Sequence, residues 1–249
     1  MSSVRIVVDS VADLPQKICE ELNITVVPLY VHWGGRVFKD RVDLFPINFY
    51  PRLKMEKDLP VTSPPTSQDF LAVFQRILAQ GHDVLCLTLS SGLSEAYGNA
   101  TAAQKTLKDQ DRVAVLDTLA VTIGQGLLAV EAARMAQAGD KLQTITAALR
   151  DKVSRLHTLY TLESLETVVR GGRVSAVKGA LGTLLNMKPI LHMDEKGIIK
   201  PLVVVRAGKN LISVLAGQLD KQGVNLHGQT VGIAHANNPQ QGRELANIL

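Results

Sequence analysis

The 249-residue chain is poor in aromatic side chains: Phe, Trp and Tyr together make up 4% of it, with a single tryptophan. Its interior must therefore be aliphatic, built from Leu, Val, Ile and Ala, as in folds that layer helices on sheets. Cysteine is as scarce. Cys19 lies in a helix-like run and Cys86 in a strand-like one, which excludes a disulfide framework, a redox pair and a cysteine metal site. Both suit reduced core thiols in a cytoplasmic protein. Charge of one sign does not accumulate either: 27 Lys and Arg against 23 Asp and Glu leave +4, with no basic block and no interleaved aromatics. Phosphate tracking needs cations clustered on one face, so nucleic-acid binding is not expected. No uninterrupted apolar stretch approaches a bilayer span, and the run in MSSVRIVVDS is too short for a signal peptide. The expected location is the cytoplasm, with at most transient membrane contact.

Familiar catalytic signatures are missing as well. There is no GxxxxGK[ST] and no GxSxG, and the GxG at Gly124 to Gly126 lacks the third glycine of a dinucleotide fingerprint. The six histidines are scattered singly, without metal-ligand spacing, and a lone one such as His192 reads as structural.

What is present alternates. RIVVD (Arg5 to Asp9) reads as a strand, and Asp13 with Pro15 opens a helix running to Leu22. ITVVPLYV reads as the next strand, with Gly34 and Gly35 as a hairpin turn. SQDFLAVFQRILAQG spaces its apolar residues as a helix and stops at Gly81. DVLCLTL is a continuous apolar run, as expected of a parallel strand buried on both faces. RVAVLD repeats that pattern before the long helix TIGQGLLAVEAARMAQAG. These βα units predict an α/β domain at residues 1–154, with a doubly wound, mostly parallel sheet. Beyond a helix near Leu142 to Ser154 the pattern changes. HTLYTLE, MKPILHM, IIKPLVVVR and QTVGIAHA read as strands, and SLETVVR, SAVKGALGTLL and NLISVLAGQLDKQ as helices. Residues 155–249 are expected to form an α+β domain with a mixed or antiparallel sheet.

Three stretches could carry chemistry. In VTSPPTS, Thr66 or Ser67 suits the N-cap of the helix that follows, whereas Thr62 and Ser63 lie too far upstream to cap it. In LSSGLSEAY, Ser90, Ser91, Gly92 and Ser94 sit where a strand meets a helix, the end of an open α/β sheet at which ligands bind. Ser94 could equally be a cap, and backbone N–H groups at such a junction favour an anion. In VVRGGRVSAVKGALGTLLNMKPIL, Arg170 and Arg173 flank a Gly-Gly turn, and the glycine-rich helix after it suits either close packing or the apolar wall of a slot.

In sequence order, IVVDSVADLP, VTSPPTS, LSSGLSEAY, VLDTLAVTIGQGLLAVEAA and LETVVRGGRVSAVKGALGTLLNMKPIL resemble the motifs of the DegV family of fatty-acid-binding proteins, along essentially the whole chain. The resemblance implies a non-catalytic carrier of two domains with a long-chain fatty acid such as palmitate between them. Its carboxyl group would be held by Thr62 and Ser94, with Ser63 and Ser91 as neighbours. It further implies delivery of that acid to a separate ATP-dependent fatty-acid kinase, which makes the acyl phosphate for phospholipid synthesis. Arg170, Arg173 and Arg206 would lie near the mouth where that kinase docks. No cofactor, metal or catalytic residue is implied, and a monomer is expected. Two departures stand out: Thr66 and Pro64 replace the family's serine and a commonly polar residue. Relative to the family, the second domain is expected to be truncated after HANNPQQGRELANIL, short of a histidine- and glycine-containing segment beside the carboxyl group. The competing reading is an α/β phosphotransferase or hydrolase that uses the serine loop as an anion site, for which Asp9 and Asp117 are the available bases.

Overall fold

The computed structural model describes residues 3–162, 187–206, 210–221 and 225–249. They form two compact units, Met1–Leu156 and His157–Leu249.

In the first unit, β1 (Val4–Asp9), β2 (Thr25–Val27), β6 (Asp83–Thr88) and β7 (Val113–Asp117) form a parallel sheet in the order β2-β1-β6-β7. Period-two alternation divides its side chains between two helical layers. Val4, Ile6, Val8, Leu85, Leu87 and Leu116 pack against α5 (Ile123–Gln137) and α6 (Leu142–Val153). The intervening Val7, Val84 and Cys86 are equally buried, and α3 (Ser67–Ala79) and α4 (Ala96–Lys105) pack over that side of β6. This is the doubly wound arrangement. The short helix α1 (Gln16–Glu21) joins β1 to β2. Because the chain leaves β1 on one side for β2 and returns on the other for β6, the sheet switches direction between β1 and β6. Ligands of open α/β sheets bind at the carboxyl ends of strands flanking such a point.

The apolar run ITVVPLYV does not make one strand. It breaks at Pro28, which has no N–H to give to a ladder, so β2 joins the parallel sheet and β3 (Tyr30–Trp33) starts another. That second sheet is antiparallel, in the order β4-β3-β5, with β4 at Arg36–Lys39 and β5 at Val61–Ser63. Gly34 and Gly35 link β3 to β4 with φ of 57° and 72°, the left-handed pair that a tight hairpin turn requires. Between β4 and β5 the polar stretch holds a helix, α2 (Pro46–Met55), which carries Pro51 inside it. Phe49 and Leu53 of α2 cover Trp33, and the Arg52 guanidinium lies 4.3 Å from the Trp33 ring centre.

The second unit holds β8 (Leu159–Thr161), β9 (Met187–Met193) and β10 (Ile199–Arg206), antiparallel in the order β10-β9-β8, with Gly197 (φ 69°) in the β9–β10 turn. Ile190 and Val205 pack with Leu211 and Leu215 of α7 (Leu211–Lys221) and with Leu245 of α8 (Pro239–Ile248). QTVGIAHA, read as a strand, is irregular here: no described strand pairs with it, and apolar alternation alone does not make a ladder. The expected helices SLETVVR and SAVKGALGTLL lie outside the described residues. Among the described residues, no helix is long and apolar enough to cross a membrane.

Candidate functional site

β6 ends at Thr88, and the serine loop begins at once. Its shape follows from where each backbone N–H goes. Leu89 N donates to Asp9 Oδ2 at 2.8 Å and Ser90 N to the Ala120 carbonyl at 2.9 Å. Ser91 N is shared between the Asp117 carboxylate oxygens at 3.2 and 3.3 Å. Gly92 N donates to Ser90 Oγ at 3.1 Å, and Leu93 N and Ser94 N both reach the Ser90 carbonyl, at 3.1 and 3.2 Å. From Leu89 to Ser94 every amide has an acceptor inside the protein. Between Leu89 and Ser94 the expected cradle of free N–H groups is therefore not formed, and over that stretch an acidic ligand is left with side chains to meet it.

Those side chains differ in what they have left to offer. Ser90 is fully buried and organises the turn. Ser91 is exposed, with its N–H spent on Asp117. Ser94, half-buried, accepts from Ala96 N at 3.3 Å, a weak cap on the first turn of α4 that leaves its own O–H free to donate.

Thr62 and Ser63 lie on β5, where Thr62 pairs with Val31 and Ser63 with Tyr30. Neighbouring residues of a strand face opposite sides, so the two hydroxyls cannot serve one ligand from one face. Ser63 Oγ is 2.8 Å from His32 Nε2. Thr62 is exposed and makes no side-chain hydrogen bond among the described residues. Thr66 is the N-cap of α3, in a capping box with Asp69, as the sequence suggests. A residue that the sequence does not mark joins the two motifs: Asn99 of α4 donates from Nδ2 to the Pro65 carbonyl at 2.8 Å. It ties the turn after β5 to α4, the helix that follows the serine loop.

The two carboxylates at the strand ends are both occupied. Asp117 accepts from Ser91 N and, at 3.0 Å, from Leu119 N. Asp9 is fully buried and accepts from Val11 N at 3.1 Å, Leu89 N at 2.8 Å and Gln125 Nε2 at 3.1 Å. Burial pushes its carboxyl up from 3.8 to about 6, while the three donors pull the other way. Gln125 gives a second hydrogen bond to the Leu87 carbonyl at 3.1 Å, and its Oε1 is buried without a partner among the described residues. As bases for a phosphotransferase or hydrolase, both carboxylates are committed to main-chain N–H groups. Strain gathers nearby: Leu119 and Thr122 hold φ of 49° and 51°, positions that side-chain-bearing residues seldom adopt.

The GxG at the start of α5 is a packing feature. A Cβ on Gly126 would lie 2.6 Å from the Ala12 carbonyl, so only glycine lets α5 approach the turn after β1 this closely. Beside it, a groove of about 230 Å³ runs between α1 and α5, lined by Leu14, Ile18, Leu127 and Val130 among others, away from the serine loop. In the second unit, Arg206 is exposed at the end of β10, while Arg170 and Arg173 lie outside the described residues.

The sequence profile of a family described as "Uncharacterised protein, DegV family" matches residues 3–249. A DegV domain-containing protein of Caldanaerobacter subterraneus is 32% identical over 94% of this chain and 83% of its own length. A DegV lipid-binding protein of Thermotoga maritima has a similar structure, with a TM-score of 0.83 at 31% identity over 99% of this chain and 86% of that one. A DegV family protein from Thermus thermophilus, whose structure is described as showing fatty-acid binding, gives 0.80 at 30% identity over 88% and 77%. This chain belongs to the DegV family.

Proposed function

We propose that the protein is a carrier that binds a long-chain fatty acid, holds its carboxyl group with the hydroxyls of Thr62 and Ser94, and presents it to a separate ATP-dependent fatty-acid kinase. The observation that carries the head-group part is in the serine loop: between Leu89 and Ser94 the amides are used internally, while Ser91 and Ser94 keep hydroxyl protons to donate. A phosphoryl group favours a nest of amides or cations. A carboxyl group is served by one or two O–H donors, which contribute roughly 1.5–3 kcal/mol each when the acceptor is charged. Most of the affinity would come from the tail, since a 16-carbon chain buries about 14 methylenes and gains on the order of 10 kcal/mol gross. Relatives at 30% and 31% identity described as fatty-acid- or lipid-binding support the same ligand class. Ser63, held by His32, would steady β5 behind Thr62, and Ser91 would stand beside Ser94. Docking of the kinase on Arg170, Arg173 and Arg206 rests on the family resemblance and on the suitability of guanidinium groups for phosphates.

Organic extraction of freshly purified protein followed by mass spectrometry tests the ligand. A stoichiometric long-chain fatty acid is the expected result. Its absence, together with no uptake of added fatty acid, would overturn the reading.

A further inference from the structure

Parallel β1 and β6 stay in register as far as Val8 and Leu87, and beyond that pair the two chains part. β1 turns into the loop at Ser10–Ala12 and β6 into the serine loop. The N–H of Leu89, just past the end of β6, is buried and has no strand to pair with; the Asp9 carboxylate takes the place of a strand at this point. The same carboxylate fastens Val11 N of its own loop and Gln125 in the first turn of α5. One side chain thus closes three segments around the switch point of the sheet. The commitment of Gln125 is one-sided: its amide nitrogen serves Asp9 and the Leu87 carbonyl, while its buried oxygen has no partner among the described residues. An unpaired buried acceptor is costly, so the position is shaped to supply donors to this carboxylate. The loop beyond Leu89 depends on it in turn, because Ser90 starts from the position fixed by Leu89, and Ser94 N hangs from the Ser90 carbonyl.

We infer that Asp9 is a positioning residue for head-group recognition: by holding Leu89 N, Val11 N and Gln125 Nε2 together, it fixes the serine loop so that Ser94 meets a carboxyl group, without touching the ligand itself. The inference rests on the proposed fatty-acid reading. A role confined to fold stability would weaken every ligand alike. A role in positioning weakens only what the head group contributes, and the ratio between a fatty acid and its methyl ester reads that part.

The test measures displacement of a fluorescent fatty acid by palmitic acid and by methyl palmitate, for the full chain and its variants. The unaltered protein should prefer the acid, and the share of that preference due to Ser94 should be about ten- to a hundredfold, the value of one hydrogen bond to a charged acceptor. Asp9→Ala should lower the ratio by that share and leave the part due to Thr62, with ester affinity within about threefold of the unaltered protein. Asp9→Asn, which keeps one acceptor oxygen, should fall between. Leu149→Ala, a core truncation in α6 far from the loop in sequence, should lose stability and keep the full ratio. If Asp9→Ala does not fold, Asp9→Asn and Gln125→Met report the same ratio. Retention of the full ratio in the folded Asp9 variants, or proportional weakening of both ligands, would overturn the role of Asp9 alone. An unaltered protein that binds both ligands but prefers neither would overturn head-group recognition by the hydroxyls and the inference with it, and one that binds neither would overturn the fatty-acid reading as well.

Discussion

Burial raises the Asp9 carboxyl to about 6 although three N–H groups favour its charged form. The sign of the resulting pH dependence is fixed. Between about pH 4 and 6 the folded chain holds a proton that the unfolded chain, near 3.8, has released, so stability falls as pH rises through that window and is level above it. The full amplitude for this one group is about 3 kcal/mol. Chemical denaturation at intervals from pH 4 to 7 should show most of this fall, and Asp9→Asn should remove it whatever it does to the absolute stability. An unchanged slope in Asp9→Asn would mean that the buried carboxyl titrates alike in both states. The same residue shows what a sequence hides. Asp9 stands at the end of an obvious strand, yet its partners Leu89 and Gln125 are brought to it by the sheet crossover and by α5, and nothing in the local pattern announces them.

Among the elements, those with continuous apolar runs are legible from sequence: β1, β6, β7 and α5 fall where RIVVD, DVLCLTL, RVAVLD and the alanine-rich helix place them. The rest depends on partners. β5 is a three-residue strand rich in hydroxyls, visible only through its ladder to β3, and so the opposed directions of Thr62 and Ser63 are visible only there too. α2 is masked by its own prolines, and Pro28 divides one apolar run between two sheets. The glycines of α5 are explained by packing. Gly→Ala inside a helix ordinarily stabilises by up to about 1 kcal/mol, but at Gly126 the new methyl would press on the Ala12 main-chain carbonyl, which cannot swing aside. Gly126→Ala should therefore destabilise the protein by about 1–3 kcal/mol, read as a lower denaturant midpoint at unchanged m-value.

For the molecule as a whole, recognition would be divided between a head group met by a few hydroxyls and a tail whose contribution grows with length. At about 0.8 kcal/mol per methylene, each added carbon should tighten binding roughly fourfold until the apolar space is filled. A titration series of saturated acids gives that length directly, and affinity independent of length would show that the tail is not buried. The completed hydrogen bonding of the serine loop bears on time as well as on affinity. A loop already closed on itself has nothing to reorganise when a ligand arrives, so arrival should be insensitive to the chemistry of the head group. Departure is where the hydroxyls would act, and the dwell time of a bound acid would measure how well they hold it.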